Sequence, residues 1–124
     1  MTEPRKFDLE DRLVKFAVLV LNVCDVLPST KAGNNLEYQL SKSGTAPALM
    51  YGEVQAAESQ ADFIHKMKGA LKELRETRIN LRIIIEKPVV IHESSEVALK
   101  ECNELIAIFT ASIQTAKRNR DSYK

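Results

Sequence analysis

The chain has 124 residues, 44% hydrophobic and 28% charged, with 18 Lys and Arg against 17 Asp and Glu for a formal net charge of +1. That length suits one domain able to bury a core, and the apolar content is too high for a disordered chain. Four Gly and four Pro leave too few turns for an all-β fold, and the near-neutral balance excludes a global field steering the chain to nucleic acid or membrane, though not a local patch.

The amino-terminal MTEPRKFDLEDR is charged and carries no apolar core before a cleavage site, so no secretory signal is expected. The longest uninterrupted apolar run, Phe16 to Leu21, falls far short of the roughly 20 residues that cross a bilayer. No membrane partner is expected. Cys24 and Cys102 stand far apart inside apolar periodic segments and read as buried free thiols, which points to a cytoplasmic location.

The first periodic segment covers about 8–27. Leu9, Leu13, Phe16, Val20, Val23 and Leu27 alternate spacings of four and three, a heptad-like seam that Pro28 ends. Val14, Val18 and Leu21 form a second apolar line on another face of the same helix. One stripe serves a monomeric bundle; a second points to another burial surface and hence to an oligomer.

The second segment contains its own breakers: SGTAPALMYGE holds Gly44, Pro47 and Gly52. Yet Leu36, Leu40, Ser43, Pro47, Met50, Val54 and Ala57 keep the same alternation straight through them. Two helices broken at Gly44 would have no reason to share a register, so the spacing predicts one helix over about 30–57. Pro47 removes one backbone bond to Ser43, and Gly44 is expected to give the proline ring room.

The third segment covers about 59–87, with Phe63, Met67, Ala70, Leu74, Thr77, Leu81 and Ile84 on its seam. Ser59 followed by Asp62 is a short-acid variant of the capping box. Lys72 and Glu76 stand four apart and are expected to pair. The fourth segment covers about 94–118, with Ala98, Cys102, Leu105, Phe109, Ser112 and Ala116 on its seam and Ser94 or Ser95 as expected cap. The ends, about 1–7 and 119–124, are expected to fray. Short connections make successive helices antiparallel, so the fold class is all-α: one up-and-down four-helix bundle over residues 1–124.

The stretch SGTAPALMYGEVQAAESQADFIHKMKGALKELRETRINLRIII, followed by ECNELIAIFTASIQTAK, resembles the bacterial four-helix bundle protein family first noticed as reading frames within intervening sequences of 23S ribosomal RNA genes. The likeness extends to the KAGNNLEYQL lead-in and covers nearly the whole chain. It implies a left-handed up-and-down bundle that assembles with itself, a ring-like pentamer being the best-known form, with no established enzymatic activity. The accessory variability protein of diversity-generating retroelements is similar in fold and partners a reverse transcriptase and nucleic acid. Where the family pattern reads S-P-x-x-N-Y-G-E, this chain has Ala46 and Met50, which implies a drier core.

Chemistry is sparse. No Glu is followed three residues later by His, and His65 and His92 stand singly, so no metal site is expected. No glycine-rich phosphate loop is present, neither cysteine sits in a nucleophile motif, and no cofactor or catalytic residue is assigned. Gln39, Tyr51 and Glu53 are read as a polar cluster on the second helix, either a structural network or, in the alternative reading, a small-molecule or enzyme site. Lys68, Lys72, Arg75, Arg78 and Arg82 recur at spacings of four, three, three and four, a basic stripe on the third helix, and Lys117, Arg118, Arg120 and Lys124 make a basic end. These are the candidate contacts to RNA or an RNA-handling partner, against the alternative of a solvated face balanced by Glu73 and Glu76. No aromatic side chain is interleaved with the stripe for base stacking.

Overall fold

The computed structural model describes residues 8–122 and consists of four helices: α1 (Leu9–Val26), α2 (Lys31–Val54), α3 (Gln60–Glu86) and α4 (Glu93–Asp121). Each packs on its neighbours in chain order and α1 closes against α4, while among the described residues the backbones of the diagonal pairs do not approach one another. Short connections reverse the chain each time, giving the expected up-and-down bundle. Most of the seam residues fill its axis, with Phe16, Leu13, Leu40, Leu74, Leu105 and Phe109 fully enclosed, whereas Met50, Ala57, Phe63 and Ser112 are only half-buried and Ile64 and Ile113 are buried beside them. The ends expected to fray at 1–7, and Lys124 of the basic end, lie outside the described residues.

The helix starts follow local chemistry. Asp8 caps α1 by accepting from the Asp11 amide, and Thr30 caps α2 by accepting from Gly33, each at 3.0 Å. Ser59 accepts from the Asp62 amide at 3.0 Å, as its spacing predicts, and Asp62 in turn accepts from the Glu58 amide at 3.2 Å. The expected cap of α4 is corrected: His92, not Ser94 or Ser95, takes that position, its Nδ1 accepting from the Ser94 amide at 3.1 Å. Ser95 is thereby turned into the core, where its hydroxyl has no hydrogen-bond partner among the described residues.

Two helix ends also differ from expectation. α2 stops at Val54, short of Ala57, because Ala56 and Ala57 donate to Glu53 and Val54, three residues back, tightening the chain for its reversal. α4 outlasts the expected 118 and stays helical to Asp121, where Arg118 and Arg120 sit favourably at the negative helix end. Residues 119–121 are therefore not frayed.

α2 runs unbroken through Pro47, as its register predicts. Gly44 does a different job from the one expected of it. A Cβ there would meet the side chain of Val20, lying 2.9 Å from its Cβ, so the glycine lets α1 and α2 approach closely. Gly52, by contrast, faces open space. Two further side-chain links brace the bundle. Arg12 of α1 grips Glu101 of α4 through Nε and Nη2 at 2.7 and 2.8 Å, and Tyr51 meets Phe109 edge-on at 6.4 Å.

Candidate functional site

Lys68, Lys72 and Arg75 share one face of α3 because residues three and four apart stack along a helix. α4 runs antiparallel to α3, so its late turns lie beside the early turns of α3. Thr110, Ile113, Gln114 and Lys117, again spaced by three and four, complete the other wall. The result is an open groove of about 790 Å³. Leu71 and Ile113 form its apolar floor, only 8% and 5% exposed, and Ile79, 46% exposed, continues it along α3. Glu76, Asn80 and, from α2, Gln39 lie at the margin.

Cations outnumber acids in this groove, four against Glu76. Among the described residues no carboxylate stands in ion-pair range of Lys68, Lys72, Arg75 or Lys117, while Lys15, Lys66 and Arg82 each pair four residues along their helices. The expected pair of Lys72 with Glu76 is not formed; both side chains face the groove instead. Lys68 is held below the usual lysine range chiefly by the charge of Lys117, with Arg120 adding to it. Two like charges kept together in this way lower their energy when an anion comes between them.

The basic stripe thus divides. Lys68, Lys72, Arg75 and Lys117 converge on the groove. Arg82 is paired with Glu86 at 2.9 Å, and Arg78 is half-buried, its enclosed Nε without a hydrogen-bond partner among the described residues. Arg120 bonds Asp121 at 3.2 Å and Arg118 donates to Thr115 at 3.4 Å. Sequence spacing found the α3 cations but missed Leu71, Thr110, Ile113 and Gln114, whose role depends on the antiparallel register of α3 and α4.

Gln39, Tyr51 and Glu53 are not brought together, which corrects the expected cluster. Residues two apart point to nearly opposite sides of a helix, so Tyr51 turns inward onto Phe109 while Glu53 is exposed. Gln39, more than three turns earlier, belongs to the margin of the α3–α4 groove. The polar network of α2 lies elsewhere: Ser43, Thr77 and Asn80 join α2 to α3, with Thr77 Oγ1 at 2.9 Å from Ser43 Oγ.

Both cysteines are free and buried, as expected. Cys102 donates to the Leu74 carbonyl at 3.2 Å, and burial pushes its thiol up to about 12; burial likewise raises Cys24 to about 11. Among the described residues no group of His, Cys, Asp or Glu could hold a metal ion, and no helix is long and apolar enough to cross a membrane. The second apolar line of α1 is open to solvent, with Val14, Val18 and Leu21 at 49%, 52% and 43% exposed.

No family model matches the chain, and no curated protein does. Among solved structures the chain is similar to a protein of unknown function from the S23 ribosomal protein family of Bacteroides thetaiotaomicron. The two are 28% identical with a TM-score of 0.77, over 86% of this chain and 98% of that one. The likeness agrees with the all-helical fold.

Proposed function

We propose that this chain is a non-enzymatic helical-bundle scaffold that associates with itself and binds RNA along the groove between α3 and α4. The observation that carries the reading is the convergence of Lys68, Lys72, Arg75 and Lys117 on one groove with no carboxylate in ion-pair range among the described residues. A near-neutral chain that gathers four such cations on one groove is suited to phosphate contact there, whatever its total charge. The ribosomal designation of the structural neighbour's family points toward RNA as the polyanion.

Self-association rests on Val14, Val18 and Leu21, an unbroken apolar line on the solvent side of α1. The resemblance of the sequence favours a homopentamer, and repetition of the groove around a ring would multiply weak phosphate contacts into useful avidity. The alternative of a small-molecule or enzyme site around Glu53 draws no support from the geometry, since Glu53 shares no pocket or hydrogen bond with Tyr51 or Gln39.

Fluorescence anisotropy of labelled RNA over a salt series tests the RNA reading. Affinity is expected to fall steeply with salt and to weaken in Lys72→Gln and Arg75→Gln, each removing about one unit from the log–log slope. Flat salt dependence, or no binding at low salt, overturns it. Light scattering at micromolar concentration tests the assembly: a mass several times the 14.0 kDa of one chain is expected, reduced by Val18→Glu, and a monomer would refute it.

A further inference from the structure

The groove is more than a charged surface. Its cations line it together with one carboxylate, Glu76, while Leu71, Ile79 and Ile113 give it an apolar floor and Gln39 and Gln114 supply neutral hydrogen-bonding groups. A polyphosphate or a duplex backbone would use the rim and leave that floor wet. A ligand that fits the whole groove carries anionic charge on one side and flat, partly apolar bodies with polar edges on the other. Nucleotides whose bases are free of a helix have that form.

Resting on the RNA reading above, we propose that the groove selects single-stranded RNA over duplex, seating one phosphate between Lys68 and Lys117 and turning bases inward over Leu71, Ile79 and Ile113. Width supports the selection. Helices whose axes lie about 8–10 Å apart are in contact, so the groove is a surface furrow that an extended strand can follow along its floor while a rigid duplex meets only its rim. In duplex RNA the base faces are stacked away, whereas an unpaired strand can splay them onto a protein surface. Because the floor is aliphatic, contact with bases is tolerant of sequence and weaker than aromatic stacking. The closeness of Lys68 to Lys117, which holds Lys68 below the usual lysine range, agrees with a phosphate position at that end of the groove.

The experiment compares a short single-stranded RNA with the same sequence annealed to its complement, titrated at low salt against the full chain. The single strand is expected to bind several-fold more tightly, somewhat less than the roughly tenfold that stacking one base on an aromatic ring supplies. Ile79→Gln, at a partly exposed position where folding tolerates the change, is expected to erode that preference while leaving duplex affinity unchanged. The double substitution Lys68→Gln with Lys117→Gln is expected to lower the salt slope for the single strand by about two. Equal affinity for the two forms, or a preference unmoved by Ile79→Gln, overturns this inference while RNA binding itself stands. Failure of both forms to bind at low salt overturns this inference and the RNA reading together.

Discussion

On the side where α3 meets α2, the polar groups are matched inside the protein. Thr77, fully buried, lies 2.9 Å from Ser43 Oγ and 2.8 Å from the Glu73 carbonyl, and Asn80 reaches Ser43 from one turn further on. With a single hydroxyl proton, Thr77 donates to the carbonyl and accepts from Ser43. On the side where α3 meets α4, the rim is the reverse: Lys68, Lys72 and Arg75 face Lys117 with no acid in ion-pair range among the described residues. One helix therefore separates two uses of polarity. Matched groups fix the register of α2 on α3, and unmatched ones remain for something outside the bundle.

The sharpest way to break this comparison is to ask how deep the openness toward α4 goes. In the core between α3 and α4, Cys102 is fully buried, donates to the Leu74 carbonyl and has its thiol pushed up to about 12 by burial. Against an ordinary thiol near 8.5, that leaves about a thousandfold less thiolate at pH 8. Native protein at pH 8 should therefore resist a disulfide reagent at Cys102, with full reactivity restored in denaturant. The sign for stability follows from the raised value. The Cys102 contribution is intact below about 8.5, where the unfolded thiol is still protonated, and is lost as pH climbs toward 12. Rapid labelling of the native protein would mean that the groove opens through to the core, and the contrast between the two flanks would fail.

The next effect acts on the matched flank. Thr77→Val keeps the shape of the side chain but leaves the Ser43 hydroxyl without its buried acceptor, at a cost of about 1–3 kcal/mol. Chemical denaturation should show the midpoint falling at constant slope, and adding Ser43→Ala should recover part of the loss by removing the stranded partner. An unchanged midpoint in Thr77→Val would show that water already serves this pair, making the flank no drier than the groove.

Much of this architecture is legible in the sequence because it depends on spacing within single helices. The four-and-three alternation through Pro47 identifies α2 as one helix, and Ser59 with Asp62 marks the start of α3. What spacing does not reveal are relations between helices. Gly44 looks like an accommodation to its own proline, but it is Val20 of α1 that needs the space. Gln39, Tyr51 and Glu53 are close in sequence, yet helical rotation sends them to different environments. The basic stripe is visible on α3, whereas its division is not. Whether a cation joins the groove depends on its rotation toward α4 and on acids such as Glu86, which engages Arg82. Glu101 and Arg12 lie most of the chain apart and announce nothing until α1 closes on α4.

The smallest effect is expected from the groove cations, and its smallness is what the comparison requires. Lys72 and Arg75 are exposed and make no ion pair among the described residues, so Lys72→Gln or Arg75→Gln should shift the melting temperature by no more than about 2 °C. Lys68→Gln should move it slightly upward, because the substitution relieves repulsion by Lys117, and added salt should abolish that gain by screening the same repulsion. Loss of stability in Lys68→Gln would instead assign the amine an acceptor within the bundle. Both flanks of α3 would then serve the fold alone, and the cations would no longer be free to serve a ligand.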